Sequence, residues 1–184
     1  MSPPYGIVTE QAMRRFFATV LIACLIFMPL RSLEASGNTL REIAGRPPAP
    51  ALDLHDLDGR RHRLTDYRGR VVIVTFWASW CHECRYEMPS LQRAWERLRK
   101  AGVVMLAVNV DEAPEVVRAY GNRLGLTFPL LLDPDMTAYK DWPVLGVPAT
   151  YVIDPQGRLN YEAVGARDWD SPAMTGRIED LAVR

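Results

Sequence analysis

In the stretch WASWCHECRYEMP, Trp77–Pro89, two cysteines stand two residues apart, behind two tryptophans and ahead of an acid. Such a pair can be a haem anchor, half of a metal site, a structural staple or a redox couple, and each use demands its own companions. Haem attachment of the common type needs a histidine directly after the second cysteine, where this chain has Arg85. A structural zinc ion wants four nitrogen or sulfur ligands, yet the only histidines in the chain are His55, His62 and His82. A copper carrier would want a wider cysteine spacing and a distal histidine, and none follows His82. As a staple, Cys81 and Cys84 would close a very small loop, and crosslink stabilisation grows with loop length. Redox chemistry is the better account.

The elements around the pair must give its sulfurs different environments. Val71–Trp77, VVIVTFW, is an unbroken β-branched and aromatic run, the pattern of a strand buried on both faces. Leu91, Trp95 and Leu98 then recur at helical spacing, with Pro89 a potential kink and Gly102 where a C-terminal cap would sit. The cysteines therefore fall where a buried strand meets a helix N-terminus, beside unsatisfied backbone N–H groups and the positive end of the helix dipole. A free thiol ionises near pH about 8.5, and such sites lower that value. Cys81 is expected to be the attacking, more exposed member, and Cys84, one turn in, the buried resolving thiol. Of the dipeptide between them, a protonated His82 would stabilise the Cys81 thiolate and Glu83 would oppose it. Trp77 reads as core and Trp80, directly before Cys81, as a groove wall that shields the disulfide and meets partners.

Further elements follow in an alternating order. ALDLHDLDGRRHRL carries an Asp58-Gly59 turn between two short alternating runs, which predicts a hairpin. VVMLAVNV and FPLLLD read as strands, and DEAPEVVRAYGNRLG as a helix with Asp111 as its cap. A short helical piece is expected over 137–141. ATYVID and LNYEAV flank PQG as a second hairpin, and DSPAMTGRIEDLAV closes the chain as a helix with Ser171 as N-cap and Pro172 at the first helical position. The order predicts an α/β fold on a mixed sheet, and the Arg-rich face of RAWERLRK reads as a solvated surface.

At 184 residues, 48% of them hydrophobic, the chain has room for one globular domain and a short extension. Basic and acidic residues both number 22, so no net field favours nucleic acid or an anionic membrane face. Residues 1–35 differ in kind: Arg14 and Arg15 precede an apolar run from Phe16 to Leu30. That is the pattern of an export signal, cleaved after a residue such as Ala35. The run is shorter than the roughly 20 residues of a spanning helix. An uncleaved anchor, lipidation at Cys24 and a twin-arginine reading of RRFF are the alternatives, and Met13 is a second candidate start. All imply export, into a compartment where disulfides persist. Residues 36–50, polar and then proline-rich, read as a linker, and 51–184 as the domain.

The segments VVIVTFWASWCHECRYEMPSL and GVPATYVIDPQGRL together resemble the exported TlpA-type branch of the thioredoxin superfamily, over the chain from about Ala44 to its end. The resemblance implies a thioredoxin-like fold, a central mixed β-sheet flanked by helices, here with an N-terminal β-hairpin extension. It implies a cis Pro148 beside Cys81 and a Val147 backbone offered to substrate. Thioredoxin has a buried Asp six residues before its first active-site cysteine, where this chain has Thr75. TlpA-type proteins commonly use an acid three residues after the second cysteine instead, and Glu87 occupies that place, on the same helix face as Cys84 and able to move its proton.

The implied function is a cell-envelope thiol-disulfide oxidoreductase that reduces protein disulfides and needs no metal or organic cofactor. It would draw on a membrane electron donor, with apocytochrome c thiols as one target. The catalytic set is Cys81, Cys84 and Glu87, and Trp80, Val147 and Pro148 meet substrate. A thiol peroxidase of the redoxin type is one alternative. Peroxiredoxins, however, place a Pro and a Thr or Ser upstream of their cysteine where this chain has Val74 and Ala78. The other is a non-catalytic binding module whose disulfide stays closed.

Overall fold

The computed structural model describes residues 39–183, so the readings of residues 1–35 as signal, anchor or lipid site lie outside the described residues. In chain order the strands are β1 (Arg41–Glu42), β2 (Asp53–Asp56), β3 (Arg61–Arg63), β4 (Val72–Trp77), β5 (Val104–Val110), β6 (Leu130–Asp133), β7 (Ala149–Ile153) and β8 (Leu159–Val164). The helices are α1 (His82–Leu98), α2 (Pro114–Leu124), α3 (Thr137–Asp141) and α4 (Pro172–Ala182), with 3-10 turns over Leu64–Tyr67 and Arg99–Ala101. All the strands join one mixed sheet in the order β1-β8-β7-β4-β5-β6-β2-β3. β4 runs parallel to β5, and β5 to β6, because α1 and α2 carry the chain back between them. The remaining pairings are antiparallel.

β4 is central and buried at every position, as its unbroken apolar run predicts. Its alternate residues feed two cores. Ile73 and Trp77 pack with Met88, Leu91 and Leu98 of α1 and with Met174 and Ile178 of α4. Val72, Val74 and Phe76 pack on the opposite face with Trp142 and Tyr151. Phe76, Trp142 and Tyr151 stand with ring centroids 5.5 to 6.5 Å apart, within the range of favourable aromatic contact.

The predicted hairpin forms, with Asp56 Oδ1 accepting from the Asp58 and Arg60 amides, and β2 also pairs with β6. It therefore extends the main sheet rather than standing apart from it. Part of 36–50 does likewise: Arg41–Glu42 pairs with β8, and Leu40 is buried. Asp111 is not the cap of α2. It takes φ 54° and its amide donates to the Asp133 carbonyl, while Ala113 holds the cap position. The local pattern lost here to the demands of leaving a buried parallel strand. The Arg-rich face of α1 is exposed but not merely solvated, since Arg93 and Arg97 pair with Asp170 and Glu179 of the C-terminal segment. No helix among the described residues is long and apolar enough to cross a membrane.

Candidate redox site

β4 ends at Trp77, and four residues later Cys81 takes the N-cap position of α1 with extended backbone angles, φ −73° and ψ 114°. Its Sγ accepts a hydrogen bond from the Cys84 amide at 3.1 Å. A capping sulfur next to free helical N–H groups is where negative charge is best tolerated. Cys81 and Cys84 form a disulfide with their Cα atoms 5.3 Å apart. Cys81 is 6% exposed and Cys84 is fully buried, so the first sulfur is the one an incoming thiol or disulfide can reach.

The second motif meets the first in space. Val147–Pro148 is a cis peptide, and the Val147 carbonyl lies 3.5 Å from Cys81 Sγ, placed to accept the thiol hydrogen once the pair is reduced. Trp80 is 66% exposed beside the disulfide. His82 is exposed, with Nδ1 3.1 Å from Arg85 Nη2 and its ring edge-on to Tyr86.

Glu87 lies within α1 and is only 1% exposed. Its Oε2 accepts from the Trp169 indole N–H at 3.1 Å and the Arg167 amide at 3.3 Å. Oε1 is buried with no hydrogen-bond partner. Burial raises its pKa to about 7, and the Trp169 and Arg167 hydrogen bonds oppose that rise. Near neutrality such a carboxyl can take or give a proton at little cost.

Two features of the site escape sequence reasoning. Trp169 sits in the polar loop GARDWD, where the lone hint is a large aromatic just before a helix cap. Glu112 is the other: its carboxylate accepts from the Ser79 amide at 2.6 Å and from Asn109 Nδ2 at 2.7 Å, as well as from the Ser79 hydroxyl. It ties the loop before Trp80 and Cys81 to the end of β5. Thr75, at the place of thioredoxin's buried acid, is neutral and satisfied, its hydroxyl 2.8 Å from that of Thr150.

The AhpC/TSA family pattern matches residues 46–162. The thiol-disulfide oxidoreductase ResA of Geobacillus thermodenitrificans is 42% identical over 111 residues, 60% of this chain and 64% of that protein, so the match leaves about a third of the relative's length uncovered. ResA of Bacillus subtilis is 33% identical over 140 residues, 76% of each chain. Among solved structures, a thiol:disulfide interchange protein of the thioredoxin family from Chlorobium tepidum superposes with a TM-score of 0.63 at 28% identity, covering 77% of this chain and 99% of its own.

Proposed function

We propose that this chain, which belongs to the AhpC/TSA family and is a thiol-disulfide oxidoreductase, reduces protein disulfides on the outer side of a membrane. The observation that carries the reading is a closed Cys81–Cys84 disulfide at one helix end, followed on the same helix by a buried carboxyl with a pKa near neutrality. In the reduced protein the Cys81 thiolate attacks one sulfur of a substrate disulfide, which expels the other as thiolate and leaves a mixed disulfide. The Cys84 thiol passes its proton to Glu87. The resulting thiolate attacks Cys81 Sγ, closes the intramolecular disulfide and expels the second substrate thiolate. Two electrons have moved from the dithiol to the substrate.

Trp80, the Val147 backbone and Pro148 border Cys81 and receive the substrate chain. Residues 1–35 direct export or anchor the chain, 36–50 lead into the domain and add β1 to its sheet, and 51–184 carry the chemistry. Because disulfides persist outside the cytoplasm, a membrane donor must return the electrons, and apocytochrome c is the substrate proposed. Nothing in the cycle calls for a metal or organic cofactor.

Replacing Cys84 with Ser tests the assignment directly: mixed disulfides should accumulate through Cys81. Trapping that needed Cys84 and not Cys81 would reverse the roles. The reduction potential tests direction. A value around −270 mV fits a reductase, whereas one near −120 mV would mean that the protein inserts disulfides. The AhpC/TSA match gives a peroxidase reading one point in its favour. Stopped-flow consumption of hydrogen peroxide should be slow, and rapid stoichiometric loss would establish that reading instead.

A further inference from the structure

The segment that follows β8 passes across the redox helix and is tied to it at several points. The Gly165 amide donates to the Pro148 carbonyl at 2.9 Å, joining the segment to the cis-proline loop. The Trp169 amide donates to Ser90 Oγ at 3.0 Å, and the single Ser90 hydroxyl hydrogen has the Glu87 carbonyl at 2.8 Å as its nearer acceptor and the Arg167 carbonyl at 3.2 Å as its farther one. The Trp169 ring is fully buried, so its indole has no freedom to seek another acceptor. Both donors that reach Glu87, the Arg167 amide and the Trp169 indole, converge on Oε2.

We propose that Trp169 is a positioning residue for Glu87: its indole N–H, with the Arg167 amide, holds Oε2 and so makes Oε1 the oxygen that exchanges the proton. The inference rests on the role given to Glu87 above. A hydrogen bond to the ionised carboxylate favours that form, so Trp169 also keeps part of the Glu87 population ready to accept. The other charged groups bearing on Glu87 are Glu83 on its own helix, which opposes ionisation, and Arg167 on the crossing segment, which favours it. Cys84 lies one turn back on α1. Asp170, on the same segment as Trp169, is engaged with Arg93.

The test is a carboxyl NMR titration of the reduced full chain, with the Glu87 signal identified by its loss in Glu87→Gln. In Trp169→Phe the Glu87 midpoint should move up by about one pH unit, tenfold in proton affinity, as expected for one charge-assisted hydrogen bond. A midpoint that stays or falls would overturn the proposal. Should the Phe variant not fold, the wild-type Trp169 indole proton supplies the answer. Its shift should follow the Glu87 midpoint and stop titrating in Glu87→Gln, and an indole signal indifferent to pH would overturn the proposal. The exchange rate with glutathione disulfide keeps the two readings apart. A wild-type pH profile in Glu87→Gln removes Glu87 from the catalytic cycle, while the titrations still judge whether Trp169 holds it.

Discussion

Glu83 and Glu87 are one helical turn apart on α1, and burial separates them. Glu83 is exposed, whereas Glu87 is enclosed with one oxygen unpartnered. Because the folded pKa of Glu87, about 7, lies above its ordinary value of 4.5, the folded state holds this proton more tightly than the unfolded chain. Its contribution to stability is complete below pH about 4.5 and is lost as pH rises through about 7, a change of order 3 kcal/mol. Urea unfolding of the oxidised protein should show this as a decline between pH 5 and 8 that Glu87→Gln largely abolishes. An equal decline in the variant would place the titrating group elsewhere. At Thr75 and Thr150 the same logic of burial runs through a neutral pair. Thr75→Val leaves the Thr150 hydroxyl buried and unpaired, at a cost of about 1–3 kcal/mol, while the double Val variant should be closer to wild type. Additive losses in the double-mutant cycle would show that the hydroxyls do not satisfy one another.

At the scale of elements, the site depends on two connections that α1 does not contain. The loop from Ala78 to Trp80 is held by Glu112, just beyond β5, and the far side of α1 is held by the segment between β8 and α4. Glu112→Ala deprives the Ser79 amide and the Asn109 amide group of their acceptor. Native-state hydrogen exchange at Ser79 and Trp80 should accelerate by about tenfold or more, as expected for a lost hydrogen bond worth about 1–3 kcal/mol to a charged acceptor. Unchanged exchange would mean that the loop is held by packing alone. The buried strands, the hairpins and the closing helix were legible because each carries a period or a turn signal of its own. The cap of α2 is not legible locally, because Asp111 is a good capping residue by type and only the path out of β5 commits it to a left-handed bend instead.

Across the whole molecule, the N-terminal approach is woven into the domain. Leu40 joins the core that holds the redox helix, Arg177 of α4 donates to its carbonyl at 3.0 Å, and β1 borders β8. A chain beginning at Ala51 should therefore be less stable than one beginning at Ser36. Losing one buried leucine alone costs about 1.5–3 kcal/mol, and the melting temperature should fall by roughly 5–10 °C. Equal melting temperatures would show that residues 36–50 only connect.

The sequence by itself determined the Cys81–Cys84 pair and the mixed sheet, and it offered Cys81 as the attacking member. These rest on spacing, periodicity and the residues that alternative chemistries would require. It also carried Glu87 and the second motif, Val147-Pro148, as a resemblance. Tertiary structure alone decided what surrounds Glu87, because Trp169 lies 82 residues away along the chain and meets it only when the segment after β8 crosses α1. The same holds for Glu112 and Ser79, 33 residues apart. Local patterns record what a residue offers to its own helix or strand. The polarity and hydrogen bonding that set a buried proton's affinity come from whatever the fold packs against it.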